Sequence, residues 1–398
     1  MKHAAANLEP QIITTEAQLQ SLCDGLAQAG CFAFDTEFIM EDAYHSAVCL
    51  IQTATESGVA LIDPLAGLDT GLFWDLVADP SIEVVLHAGA EDLALCQQLT
   101  GKTPANVFDV QIATGLVSRD YPLNLARLIQ TMLGVRLHKS QTLTDWRRRP
   151  LTEAQRMYAV EDVAYLPALY RLLIERLAKT GRLDWAREEF ARFESPATYN
   201  PPLTTRLLRL KGAGSLDQEG LAIASELLEV RERLAQKYNR PARAVLRDHL
   251  LLEIARHRWT LPREIRSLRG LHLRASAIEQ LAKAVKRGRA LPRDRWPVLP
   301  VAVERTPEEV ALAILLTAVL RDFCRAHGIA FALTASKRSI EQLVHAYTRS
   351  EADTSPLSRG WRARVAGPVL GDVLQGRASI RVIGGRRRPR LEITASSR

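Results

Sequence analysis

The sequence predicts an α/β domain with a mixed sheet in its first half, followed by two small all-helical domains. Short apolar runs rich in β-forming residues occur before residue 90, and helical patterns lie between and after them. Strands that come first and are then mixed with helices are typical of an α/β domain with a mixed sheet. From Leu216 to Gly288, and again from Pro307 to about Leu374, the chain shows helical patterns only.

The elements of the first half follow from their apolar patterns. Strands are predicted for CFAFDT at 31–36, AVCLIQT at 47–53, GVALI at 58–62 and IEVVLH at 82–87. Helices are predicted over 69–79, 89–99, 109–117 and 123–133, with a long one over 152–178. In the second half, Thr306 and Pro307 are followed by two acids, which predicts the start of a helix.

Breaks in composition predict the domain boundaries. Proline-rich stretches begin at Ser195 and Leu291 and are read as linkers. The predicted organisation is an α/β domain over 1–195, a linker over 196–212, a helical domain over 213–290, a linker over 291–306, a second helical domain over 307–382 and a basic tail over 383–398. The tail is rich in arginine and is predicted to have no fixed structure.

The composition is that of a folded protein and excludes several classes. With 47% hydrophobic and 25% charged residues, the chain is not largely disordered, collagen-like or a disulfide miniprotein. The longest apolar stretch, 310–320, is shorter than the roughly 20 residues of a membrane span, and the N-terminus has no apolar signal segment. None of the five cysteines forms a C-x-x-C pair, which favours buried thiols in a reducing compartment. We therefore expect a cytoplasmic protein without membrane contact, and we favour a monomer.

The charge is divided unequally between the two halves. Residues 1–200 contain 16 basic and 26 acidic residues, whereas residues 201–398 contain 37 and 19. A strongly basic half suggests a polyanionic partner, most often a nucleic acid. The alternative is that the basic helices only present solvated faces.

The first candidate site is the pair Asp35 and Glu37, at the end of an apolar strand. Side chains two residues apart on a strand point to the same face, so the two carboxylates project together. Like charges this close raise each other's pKa unless something neutralises them, and a hard divalent cation such as Mg²⁺ is the usual solution. The alternative is an exposed strand end with two solvated acids.

Two further segments add acids to this set. Asp92 follows the strand at 82–87 and lies, with Glu91, in the first turn of a predicted helix, where acids also suit the helix dipole. Tyr158 and Asp162 are four residues apart on a helix and share a face, either to orient a metal-held water or as part of an amphipathic helix. Together the four acids and the tyrosine are what two-metal phosphodiester cleavage requires.

A basic run between these segments is a candidate for holding a phosphate backbone. It combines positive charge with one aromatic ring, although a solvated loop is the alternative. Its members are Lys139, Trp146, Arg147, Arg148 and Arg149.

Nucleotide-binding motifs are missing from the sequence. There is no G-x-x-x-x-G-K-[ST] segment, and Gly212-Ala-Gly214 is only a fragment of a dinucleotide fingerprint, so no nucleotide cofactor is expected.

At these motifs the chain resembles the ribonuclease D family of the DEDD 3′–5′ exonuclease superfamily, in its tyrosine subgroup. The matching segments are FAFDTEF, VLHAGAEDL and DWRRRPLTEAQRMYAVEDVAYL. The resemblance implies an RNase H-like fold in which two divalent ions, Mg²⁺ or Mn²⁺, are held by four acids and a tyrosine positions the attacking water. By this resemblance the acids are Asp35, Glu37, Asp92 and Asp162, and the tyrosine is Tyr158.

The resemblance extends into the basic half. Residues 216–288 look like an HRDC domain, a helical nucleic-acid-binding module, and residues 307–380 look like a second, more divergent copy. The implied function is a metal-dependent 3′–5′ exoribonuclease that trims structured RNA, above all 3′-extended tRNA precursors and other small stable RNAs, and releases nucleoside 5′-monophosphates. A DNA-directed exonuclease and a non-catalytic RNA-binding protein on the same fold remain as alternatives.

Overall fold

The computed structural model describes residues 9–39, 43, 44, 46–137, 144–299, 305–384 and 390–395. The chain forms two compact units. The first consists of residues 1–37, 49–195 and 304–398, and the second consists of residues 38–48 and 196–303. The α/β domain and the C-terminal helices therefore belong to one unit, and the middle helical domain belongs to the other.

The α/β domain is built on a six-stranded mixed sheet, as predicted. The strands are β1 (Gln11–Ile13), β2 (Cys31–Ile39), β3 (Ala47–Ala54), β4 (Val59–Ile62), β5 (Glu83–Leu86) and β6 (Val107–Asp109), in the spatial order β1-β4-β3-β2-β5-β6. Strand β3 runs antiparallel to β4, whereas β5 runs parallel to both β2 and β6. The four predicted strands are present, and two outer strands of three residues each complete the sheet.

Eight helices accompany the sheet in the described part of this domain. They are α1 (Glu16–Ala29), α2 (Gly71–Val77), α3 (Ala90–Thr100), α4 (Val110–Val117), α5 (Leu125–Leu133), α6 (Glu153–Ala164), α7 (Leu166–Lys179) and α8 (Leu183–Phe190). The single long helix predicted over 152–178 is wrong, because the chain breaks between α6 and α7 at Tyr165. Pro167 in the first turn of α7 lacks the N–H that a continuous helix needs, and its ring would clash with the preceding turn.

Strand β2 separates the hydrophobic core from the candidate site. Phe32 and Phe34 are buried and pack against Phe73 and Trp74 of α2, with the Phe34 and Phe73 ring centroids 5.5 Å apart. Because side chains alternate along a strand, this packing directs the odd-numbered residues of β2 to the opposite face.

The middle helical domain contains seven helices in its described residues. They are α9 (Pro196–Tyr199), α10 (Leu203–Leu208), α11 (Gln218–Tyr238), α12 (Ala242–Val245), α13 (Asp248–His257), α14 (Pro262–Arg266) and α15 (Ala275–Ala290). The stretch 196–212, predicted as a linker, contains two of these helices, and Leu207 and Leu210 are buried in the core of the domain. Helices α11 and α15 pack closely at Gly288, where a Cβ atom would lie 2.5 Å from the Cα of Ile223.

The C-terminal block repeats this order of elements. It contains α16 (Pro307–His327), α17 (Phe331–Thr334), α18 (Lys337–Thr348), a 3₁₀ turn at Pro356–Ser358 and α19 (Gly360–Leu374). Both domains thus have a 21-residue helix, a four-residue helix, a middle helix, a short helical element and a closing helix. The similarity lies in the structure, and the sequence shows no convincing residue-level repeat.

The prediction that the tail has no fixed structure is wrong for part of it. Strand β8 (Arg390–Ala395) pairs antiparallel with β7 (Ala378–Ile383). Leu391 and Ile393 pack against the core of the C-terminal helices. Their alternating apolar pattern therefore stabilises a strand in a segment whose arginines alone predict no fixed structure. Arg386–Arg388 lie outside the described residues.

Helix α8 attaches the C-terminal block to the α/β domain through buried polar contacts. The carboxylate of Glu189 is buried, accepts a hydrogen bond of 2.6 Å from the Trp361 indole and forms a 2.5 Å ion pair with Arg362. Trp361 also stacks on Trp185 at a centroid distance of 5.2 Å. These contacts make Glu189 the central polar residue of this face.

None of the helices, as far as the chain is described, is both long and apolar enough to cross a membrane.

Candidate active site

Asp35 and Glu37 project together from the end of β2, as their spacing predicts. Their carboxylate oxygens and that of Asp162 all lie within 4.8 Å of one another. Asp162 comes from α6, whose start is fixed by a capping box in which Thr152 and Gln155 satisfy each other's backbone N–H groups. The sheet and one helix therefore bring together acids that are more than 120 residues apart in the chain.

Asp92 stands beside this group, held by Thr36. It lies in the first turn of α3, is buried, and accepts a hydrogen bond from the Thr36 hydroxyl. Helix α3 can begin there because Gly89 has no Cβ, which would lie 2.8 Å from the side chain of Leu86. The fourth acid is therefore fixed by a side chain on the same strand as Asp35 and Glu37.

Burial and neighbouring negative charges raise the pKa values of the acids in this site. Burial, followed by the charges of Asp92 and Asp162, raises the pKa of Asp35 well above its usual range. Burial and the charges of Asp162 and Asp92 raise the pKa of Glu37 to about 8. Burial and the charge of Glu161 raise the pKa of Asp162 to about 7. Without positive charge, these acids cannot all be ionised near neutral pH.

The arrangement fits divalent cations. Oxygen donors from carboxylates are the ligands that Mg²⁺ and Mn²⁺ prefer, and three of the acids offer oxygens close enough to share an ion. Moreover, Oδ2 of Asp162 is buried and has no hydrogen-bond partner among the described residues, although buried carboxylate oxygens normally have one. A cation next to this oxygen would satisfy it.

Tyr158 lies one turn before Asp162 on α6, as predicted. Burial and the neighbouring acids, Asp162 first among them, raise the pKa of the Tyr158 phenol, so it stays protonated and can donate a hydrogen bond. Its ring packs against the buried indole of Trp146, with centroids 5.9 Å apart. Packing against Trp146 therefore fixes the orientation of the Tyr158 ring.

The predicted RNA-binding run is corrected by the structure for two of its members. Trp146 is buried against Tyr158 and is not available for base stacking. The guanidinium of Arg149 forms an ion pair with Asp63 and donates to the carbonyls of Cys49 and Trp146, so these donors hold the loop and are engaged within the protein.

The remaining members of that run differ in what the structure says of them. Arg147 and Arg148 each form an ion pair with Asp145. Because both side chains are exposed, they stay candidates for contacting RNA. Lys139 lies outside the described residues.

Two residues near the site have structural roles. The His87 ring lies 2.9 Å from the carbonyl of Leu123, and burial lowers its pKa, as expected of a structural histidine. Thr36, which sequence reasoning missed, orients Asp92. Its position between two motif acids was visible, but no spacing rule connects position 36 with position 92.

Comparisons with known proteins agree with this geometry. A family profile described as 3′–5′ exonuclease matches residues 10–178, and one described as HRDC domain matches residues 220–277. Ribonuclease D of Gluconacetobacter diazotrophicus is 32% identical over 95% of this chain and 96% of its own length. Ribonuclease D of Bartonella henselae is 30% identical over 94% and 93%.

The fold agrees as well. The crystal structure of Escherichia coli RNase D, described as an exoribonuclease involved in structured RNA processing, superposes with a TM-score of 0.76. The two sequences are 29% identical, and the match covers 93% of this chain and 99% of the Escherichia coli chain. The predicted fold class and resemblance are therefore confirmed, and the chain belongs to the ribonuclease D family of 3′–5′ exoribonucleases.

Proposed function

We propose that this exoribonuclease trims the 3′ ends of structured RNA, foremost 3′-extended tRNA precursors, and releases nucleoside 5′-monophosphates with two divalent ions, Mg²⁺ or Mn²⁺. The observation that carries the proposal is the group of Asp35, Glu37 and Asp162, whose oxygens lie within 4.8 Å of one another. The buried Oδ2 of Asp162 supports it, because this oxygen has no hydrogen-bond partner in the part of the chain that the structure describes. The similarity to the Escherichia coli enzyme supports structured RNA as the substrate class.

In this proposal, Asp35, Glu37, Asp92 and Asp162 hold the ions. Bound divalent ions would stabilise the charge of the attacking and leaving oxygens and lower the pKa of a bound water. The protein's own groups do the rest. Thr36 keeps Asp92 in place, and the protonated phenol of Tyr158 donates a hydrogen bond that orients the water, with Trp146 fixing its ring.

Tyr158→Phe is expected to lower kcat by roughly 10²-fold, because it removes a positioned hydrogen-bond donor, and to leave KM nearly unchanged. Single-turnover hydrolysis of a short RNA measures the chemical step, and RNA titration measures affinity. Tyr165→Phe, at the end of the same helix, is the matched control and should retain kcat. A loss of affinity with kcat retained would make Tyr158 a substrate-contacting residue instead.

The proposed 3′–5′ direction of hydrolysis gives a second prediction. RNA labelled at its 5′ end should give a ladder of products that shorten one nucleotide at a time, and a circular RNA of the same sequence should persist. Thin-layer chromatography of the released nucleotides should show 5′-monophosphates. Cleavage of the circle would show endonuclease activity and contradict the proposal.

One gel assay separates the alternative functions. A 3′-extended tRNA and a single-stranded DNA of matched length are each incubated with Mg²⁺, with Mn²⁺ and with EDTA. We expect hydrolysis of the RNA that EDTA abolishes. Faster hydrolysis of the DNA would favour a DNA-directed exonuclease, and binding without hydrolysis of either substrate would favour a non-catalytic RNA-binding protein.

A further inference from the structure

The middle helical domain contains an open cavity of about 300 Å³ that is rich in positive charge. It lies where the end of α11, helix α12 and the segment before α15 meet. Its lining side chains are Tyr238, Arg240, Ala244, Val245, His272, Leu273 and Arg274. We propose that this cavity binds a backbone phosphate of the RNA substrate, at a nucleotide away from the scissile bond.

The charges of this cavity are available to a ligand. No acid occurs among its lining residues, and with the described part of the chain neither the Arg240 nor the Arg274 guanidinium forms a hydrogen bond or ion pair. His272 is exposed beside them. Two unpaired guanidinium groups around one concave site suit a phosphate, because arginine presents a planar set of donors to its oxygens.

Some other arginines of the domain have acidic partners. Arg231 lies 2.6 Å from Asp248, and Arg287 lies 2.7 Å from Glu226. In such a pair the acid offsets most of the arginine's positive charge, so the pair attracts a polyanion only weakly. The cavity differs from such sites because it combines a concave shape with two arginines that have no acidic partner among the described residues.

The cavity also has an apolar wall, which can contact the part of a ligand next to its phosphate. Tyr238 and Leu273 pack against the buried core of the domain, so this wall is rigid. The chemical class that fits both parts is a nucleotide, with its phosphate at the arginines and its ribose or base on the apolar wall. Stacking on an aromatic side chain does not depend on the base, so we expect little sequence preference.

This inference rests on the proposed function, since it assigns the cavity to the same RNA. The test uses the full chain in EDTA, which prevents metal-dependent hydrolysis, and a fluorescent RNA hairpin with a single-stranded 3′ extension. Anisotropy titrations over a series of salt concentrations give the slope of log Kd against log salt. Each phosphate contact contributes about 0.7 to 0.9 to this slope.

The double variant Arg240→Gln/Arg274→Gln should weaken binding at 0.1 M salt by about fivefold or more and flatten the slope by about 1 to 2. The matched control is Arg266→Gln/Arg269→Gln, which removes the same charge from exposed positions of the same domain outside the cavity. The control should keep the wild-type slope. Both variants should melt at the wild-type temperature, because all four side chains are exposed.

Two outcomes would overturn the inference: a wild-type slope in the cavity variant, or the same flattening in both variants, which would show that charge acts without a defined site. Failure of the proposed function looks different. In that case the wild-type chain would bind the hairpin but not shorten it when Mg²⁺ or Mn²⁺ is added, and the slopes would still report on the cavity.

Discussion

Asp35→Asn is expected to reduce RNA hydrolysis by at least about 10³-fold while the protein remains folded. The substitution replaces a carboxylate that, in our proposal, holds a divalent ion, and such an ion is worth several kcal/mol of transition-state stabilisation, with each 1.4 kcal/mol equal to tenfold in rate. Asp162→Asn should behave in the same way. Initial rates on a short 5′-labelled RNA, at saturating Mg²⁺ and Mn²⁺, measure the effect.

Although Asp35→Asn should lower activity, it should not lower the stability of the metal-free protein. Because the carboxyl of Glu37 has a pKa of about 8 in the folded protein, against 4.5 in the unfolded chain, it binds protons more tightly when folded. The fold therefore loses stability as the pH rises from 4.5 to 8. Asp35→Asn removes one of the repelling charges, so its melting temperature in EDTA at pH 8 should equal or exceed that of the wild type.

Glu91→Gln is the matched control for the acidic site. Glu91 is an exposed acid next to Asp92 on α3, and it takes no part in the group of close carboxylates. The control should retain activity. Turnover within tenfold of wild type in either Asp35→Asn or Asp162→Asn would contradict the assignment of these residues to the ions.

Glu189→Ala is expected to cost about 3 to 5 kcal/mol of unfolding free energy, the largest stability effect that we predict. The side chains of Glu189 and Arg362 are only 7% and 21% exposed. Truncation leaves the Arg362 guanidinium with its charge partly buried and the Trp361 indole without an acceptor. Urea unfolding followed by tryptophan fluorescence measures the loss.

Two controls make this stability prediction specific. Glu194→Gln removes an exposed acid from the same end of the α/β domain and should shift the unfolding midpoint little. Glu189→Gln keeps an acceptor for the Trp361 indole and should lie between wild type and Glu189→Ala. Equal midpoints for Glu189→Ala and Glu194→Gln would mean that the buried ion pair does not stabilise the protein.

Sequence reasoning works best where a local rule connects residues. The two-residue spacing of Asp35 and Glu37 along a strand, and the four-residue spacing of Tyr158 and Asp162 along a helix, are properties of single elements. The structure bears out both spacings, together with the mixed sheet and the helical domains. The role of each acid in binding an ion stays a prediction.

What the sequence could not reveal depends on contacts distant in the chain. The Thr36–Asp92 hydrogen bond spans 56 positions, and the ion pair of Arg149 with Asp63 spans 86. A run of arginines looks the same whether its members face solvent or, as Arg149 does, fix a loop. The strand at Arg390–Ala395 was missed for a related reason, because local charge outweighed a short apolar alternation that only the neighbouring strand and helices stabilise.

The Glu189 contacts also set an order of events during synthesis. Trp361 and Arg362 lie 172 and 173 residues after Glu189. At about 5 to 20 residues per second, a ribosome needs roughly 9 to 35 seconds to make the intervening chain. Throughout that interval the residues of α8 have been made but those that cover Glu189 have not, so these contacts form only after residue 362 has been synthesised.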